Sequence, residues 1–145
     1  METDTLCRIT PDAHRAGELP AWPVAGGLLD ALTRRDFDAL AGCLETGVRF
    51  RALVPPGPFE LGSAAEVGAK FTAWFGGDDA FEVLDASASQ IGDKVCLRWR
   101  IRMTGTDSSA RVAEQHVYLT GAERIATIDL LCSGFHAEQP ARVQS

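Results

Sequence analysis

The sequence predicts an α+β domain, and three observations carry that prediction. Residues 94–135, KVCLRWRIRMTGTDSSARVAEQHVYLTGAERIATIDLLCSGF, hold three runs in which apolar and polar residues alternate. Such alternation marks strands with one buried face. Two turn-like breaks separate the runs, so they read as an antiparallel meander over 94–104, 111–120 and 124–135. Upstream, apolar residues recur instead at helical spacing, which places helices over one face of that sheet.

Residues 1–23 form an N-terminal arm in this reading, because Pro11, Gly17, Pro20 and Pro23 interrupt any long element. His14 in that arm is expected to be solvated. From Val24 the pattern is helical, with Leu28, Leu29 and Leu32 on one face and Arg34 and Arg35 in the last turn. Asp36 fits the N-cap of a second helix carrying Phe37, Leu40, Ala41 and Leu44, which Gly47 ends. Residues 48–54 then read as a strand with Val48, Phe50, Ala52 and Val54 on one side.

The run Pro55-Pro56-Gly57-Pro58 enforces a loop. Ser63 and Glu66 have capping-box spacing at the start of a third helix, whose apolar stripe is Val67, Phe71, Trp74 and Phe75. Gly76-Gly77 stops it, residues 81–88 form another strand, and Gly92-Asp93 turns into the meander. No repeat or interdomain linker interrupts residues 24–136, so they read as one domain with a tail at 137–145.

At 145 residues the chain is long enough to bury a sizeable core. Its formal charge of −6 argues against a nucleic-acid partner, which requires a basic surface. No apolar run approaches the ~18 residues of a membrane span, and the acidic, polar N-terminus has no signal-peptide core. A soluble, cytoplasmic protein is therefore expected. Cys7, Cys43, Cys96 and Cys132 lack metal-ligand spacing and sit singly in apolar settings, as reduced core cysteines do. Neither a metal nor a cofactor is expected.

Three stretches carry a family resemblance: LLDALTRRDFDALAGCLETGVRF at 28–50, LGSAAEVGAKFTAWF at 61–75 and VYLTGAERIATIDLL at 117–131. Over roughly residues 24–135 the chain resembles the NTF2-like superfamily, and within it the SnoaL-like and ketosteroid-isomerase-like proteins. The closing Asp-Gly-Lys/Arg-Ile turn of that family corresponds here to Ala122-Glu123-Arg124-Ile125. The resemblance implies a cone: a curved antiparallel sheet wrapped around three N-terminal helices, with a pocket open at one end. It covers isomerases, cyclases, dehydratases, epoxide hydrolases and non-catalytic binding domains, so it does not choose a function. Epoxide hydrolases of this fold use an Arg with two Asp on adjacent strands. Arg98 and Arg100 are not followed by Asp at the next in-face position, which disfavours that chemistry.

Strand parity assigns faces. Val95, Leu97, Trp99, Ile101 and Met103 share one face of the first meander strand, and Arg98, Arg100 and Arg102 share the other. Burying adjacent arginines without partners is costly, so the apolar row should face the helices. The arginine row then faces water or a second subunit that supplies acids, and a homodimer through the outer sheet face is expected. For the next strand, Glu114, His116 and Tyr118 are a solvated row in the plainer reading. A first hairpin closing near Asp107-Ser108 puts Trp99 opposite His116 and Ile101 opposite Glu114 instead. A second hairpin centred on Ala122-Glu123, as the family resemblance implies, puts Asp129 opposite His116. Those registers gather Trp99, Glu114, His116, Tyr118 and Asp129 on the concave surface.

Such a set has a chemistry. A carboxylate beside His116 would fix its tautomer and stabilise its protonated form. Desolvation among Trp99, Phe50, Phe71, Trp74, Leu97 and Ile101, the expected substrate-binding wall, would raise carboxylate pKa values towards neutrality. His116 with Asp129 is the first candidate dyad, Glu114 the second acid, and Tyr118 a donor to a developing enolate. Duller roles stay open: His116 bonded to backbone, Glu114 paired with Arg100 or Arg102 outside, and the aromatic stripe as plain core. The expected function is a cofactor-free isomerase, cyclase or dehydratase acting on an apolar or polycyclic small metabolite. The alternative is a non-catalytic binding or dimerisation module of the same fold.

Overall fold

The computed structural model describes residues 22–138; the N-terminal arm to residue 21, with Cys7 and His14, and the end of the tail lie outside the described residues. The first helix, α1 (Pro23–Thr33), starts with Pro in its first turn, where a missing N–H costs nothing. Trp22, just before it, donates its indole N–H to the Ala122 carbonyl at 2.7 Å and ties the helix start to the far end of the sheet. Helix α2 (Phe37–Gly42) is capped by Asp36, whose side chain accepts from the Ala39 N–H.

Helix α2 is shorter than its sequence pattern suggests. The chain passes into strand β1 (Leu44–Val54) through Cys43, and Gly47 lies within that strand rather than ending a helix. A short strand β2 (Gly57–Leu61) follows, so the proline run is a hairpin turn. Helix α3 (Ala64–Phe75) begins at Ser63, which accepts from the Glu66 N–H, while Glu66 accepts from the Gly62 N–H. Strands β3 (Ala80–Ile91), β4 (Lys94–Thr104), β5 (Ala110–Gly121) and β6 (Ile125–Cys132) complete the main sheet. A two-residue strand β7 (His136–Ala137) pairs with β5.

The sheet runs β2-β1-β6-β5-β4-β3. It is curved and does not close. All neighbours are antiparallel except β1 and β6, which run parallel, so the sheet is mixed where a wholly antiparallel one was expected. The reason is topological. After β1 the chain traverses α3 and four strands before β6 docks beside it.

The expected apolar rows form the core. Val95, Leu97, Trp99, Ile101 and Met103 of β4 are buried, as are Val48, Phe50 and Ala52 of β1. Phe71 on α3 bridges the layers, with ring centroids 6.4 Å from Phe50 and 6.4 Å from Trp99. The cone is therefore packed around aromatic rings rather than hollow at its centre.

Candidate functional site

Two hairpins decide which side chains enter the cone. The β4–β5 loop spans residues 105–109. The Ser109 N–H and hydroxyl bond to Asp107, and Ser108 sits in the left-handed region at φ 71°. That five-residue loop pairs Trp99 with Gln115, Arg98 with His116 and Arg100 with Glu114. The expected register is one residue out, and a one-residue slip exchanges the two faces of a strand. Ala113, Gln115, Val117 and Leu119 consequently point inward and are buried. Glu114, His116 and Tyr118 lie outside with the arginines.

The β5–β6 turn is also wider than expected. Gly121 pairs with Ile125, and the register shifts between Thr120 and Gly121. Gly121 has φ 154°, and a Cβ there would meet the Arg124 carbonyl oxygen at 2.2 Å, so the turn requires glycine. Beyond this bulge Asp129 lies opposite Tyr118, and Leu131 lies opposite His116. Asp129 is on the outer face too, bound to Arg51 at 2.6 Å.

The predicted catalytic set is therefore corrected in place and in pairing. His116, Asp129, Glu114 and Tyr118 are not on the concave surface. The dyad that does form is His116 with Glu114, Nε2 to Oε2 at 2.7 Å. Glu114 also accepts from Arg100 at 2.9 Å. These hydrogen bonds, His116 first and then Arg100, hold the Glu114 carboxyl below its usual range. Arg51 does the same for Asp129. Both shifts oppose the upward one that a buried general acid would need. Arg98 binds Asp85 at 2.6 Å, and Arg102 binds both Glu82 and Glu138. The arginine row thus finds its acids within the chain, and a second subunit is not needed to provide them.

Of the expected substrate-binding residues, Trp99, Phe50, Phe71, Leu97 and Ile101 are fully packed core. Trp74 has a different place. It lies at the edge of that core, 5.3 Å from Phe71 and 6.4 Å from Phe59 between ring centroids, and lines a cleft of about 700 Å³. The walls are Val54 to Phe59 from the β1–β2 hairpin, Lys70 and Trp74 from α3, and Cys132 to His136 after β6. At Gly134 the chain turns with φ 81° against Pro55, where a Cβ would stand 2.6 Å from the proline Cγ. Phe135 is held between the Phe75 ring at 5.9 Å and the Arg111 guanidinium at 5.3 Å.

Behind the cleft sits Gln115, the buried polar side chain of the core, at 1% exposure. Its Oε1 accepts from the Trp99 indole N–H at 2.9 Å. An indole N–H only donates, so this bond fixes the amide orientation. The amide nitrogen then faces the Cys132 sulfur at 3.3 Å, which also accepts from the Gly134 N–H at 3.3 Å. Trp99, Gln115 and Cys132 form a polar thread from the core to the cleft wall. The sequence assigned no site role to Gln115, or to Cys132, Phe59, Lys70 and His136, which line this cleft. The one available signal was a glutamine in an otherwise apolar row.

Among the described residues, no group of three His, Cys, Asp or Glu side chains could hold a metal ion. Nor is any described helix long and apolar enough to cross a membrane.

This architecture is that of an NTF2-like protein, a curved sheet with three helices on its concave side. The profile of the SnoaL-like domain matches residues 25–128, and the chain belongs to that family. Three solved structures are similar in fold. An LEH-like epoxide hydrolase of M. tuberculosis has a TM-score of 0.60 at 14% identity, covering 77% of this chain and 81% of that one. A Pseudomonas putida protein assigned as a polyketide cyclase has a TM-score of 0.60 at 12% identity, covering 78% and 91%. A Kribbella flavida protein assigned as a ketosteroid isomerase has a TM-score of 0.53 at 18% identity, covering 84% of each chain. No curated protein matches the sequence significantly. Identities this low show a shared fold and leave the activity open.

Proposed function

We propose that this chain binds an apolar small molecule in the cleft between the β1–β2 hairpin, α3 and the segment after β6, without proton-transfer chemistry in the cone. The observation that carries this reading is the contrast at the sheet. The concave face presents Gln115 as its buried polar side chain, and the acids and histidine expected there stand on the other side. The cleft has the volume and apolar wall of a small-molecule site. The Trp74 and Phe59 rings at its edge offer flat surface for a ring system. The enzymatic reading of the fold needs a desolvated acid or base beside the ligand. The carboxylates of the original set are instead clamped by arginines at half-exposed positions.

N-phenyl-1-naphthylamine, a neutral dye that brightens in apolar sites, tests the reading. The full chain should give a saturable increase in emission at one dye per chain. Trp74→Ala should weaken that binding by at least about tenfold, since an aromatic contact and its buried area are both lost. Absence of saturable binding, or affinity unchanged in Trp74→Ala, would sink the proposal.

A further inference from the structure

The cleft wall carries a charge whose setting differs from that of five arginines on the sheet. Lys70 is half-buried on α3, with Nζ 4.8 Å from the Phe59 ring centroid and 6.0 Å from that of Trp74. Arg51, Arg98, Arg100, Arg102 and Arg111 each bind a carboxylate of the chain. Lys70 has no carboxylate partner among the described residues. Glu66, one turn earlier on the same helix, is turned away to accept from the Gly62 N–H. No Asp or Glu among the described residues lines the cleft, in a chain with 20 acidic residues. His136 on the opposite wall is occupied with the Ser133 carbonyl, Nε2 to O at 2.9 Å.

An ammonium over two aromatic faces is held in place by their negative π-faces. It is also partly stripped of water, so it gains most from an anion that arrives with its own apolar body. Resting on the cleft reading above, we propose that the site selects apolar ring compounds bearing one carboxylate, with Lys70 as the counter-ion. The ring system lies against Trp74 and Phe59, and the carboxylate meets Nζ at the rim. A cleft with no acid among its described lining residues, in a chain of net charge −6, concentrates the attraction on that one point.

Two probes of one shape separate charge from apolar contact: 2-naphthoate and neutral 2-naphthalenemethanol, each titrated into the full chain at low salt with tryptophan emission as readout. Naphthoate should bind about tenfold more tightly, the size expected of a charge-assisted hydrogen bond. The ratio of the two affinities should fall to about one in Lys70→Met and survive in Lys70→Arg. Circular dichroism on each variant checks that the fold is retained. Equal affinities in the parent chain, or a preference that persists in Lys70→Met, would overturn the carboxylate inference while the cleft reading stood. Binding of neither probe would overturn both.

Discussion

The two faces of strands β4 and β5 come from the same residues of chain and have opposite chemistry. The inner face is a continuous apolar surface around Trp99 with Gln115 as its polar exception. The outer face is a ladder across three strands, the ion pairs Asp85–Arg98 and Arg100–Glu114 with the hydrogen bond between His116 and Glu114. The difference teaches where each kind of interaction matters. Packing of the inner face holds the sheet to the helices, and those contacts scale with buried area. Pairing on the outer face is partly solvated and screened, so its energy is small however ordered it looks. The ladder follows the register that the loops set and adds little to the stability of the fold.

Substitutions can break that comparison, and the largest effect should come from the inner face. Phe71→Ala deletes the ring that joins Phe50, Trp74 and Trp99. It should destabilise the fold by about 3–5 kcal/mol, read as a lowered urea midpoint. A loss comparable to that of an outer-face substitution would show that the cone is not tightly packed.

Gln115→Leu comes next. It keeps the volume roughly constant but leaves the Trp99 indole N–H without its acceptor in the core. The expected cost is about 1–3 kcal/mol in the same measurement. A neutral or stabilising result would place water or a different acceptor at that N–H.

The smallest effect belongs to the outer ladder. Glu114→Gln should cost less than about 1 kcal/mol at neutral pH, because the pair is partly exposed. The sign of its pH dependence is fixed. The Glu114 carboxyl is depressed in the folded state, so it stabilises above its unfolded value and that contribution is lost as pH falls through its folded one. Below roughly pH 4, the ordinary glutamate range, the difference between parent and variant should shrink. A gap that widened on acidification would contradict the assigned pairing.

How much of this was legible beforehand differs by level. Helix α3 and strand β4 were plain, because Ser63, the stripe through Phe75 and the alternation from Lys94 to Thr104 are local patterns. Strand β2 was hidden behind its prolines, and the early end of α2 was hidden because Leu44 fits a helical stripe as well as a strand. For β5 the burial argument and the turn argument conflicted. A row with one glutamine costs less to bury than a row with Glu114 and His116, and that cost outweighed the expected turn.

Composition and periodicity alone thus determined the class of fold, the helix faces and the inward row of β4, since each depends on neighbours a few positions away. Only the tertiary structure decided the site. A loop of five residues and a bulge at Gly121 set which rows of β5 and β6 entered the cone, and the β1–β2 hairpin had to meet Gly134 before a cleft existed. Those are contacts between distant segments, and single-residue differences in loop geometry reverse whole strand faces without changing any local pattern.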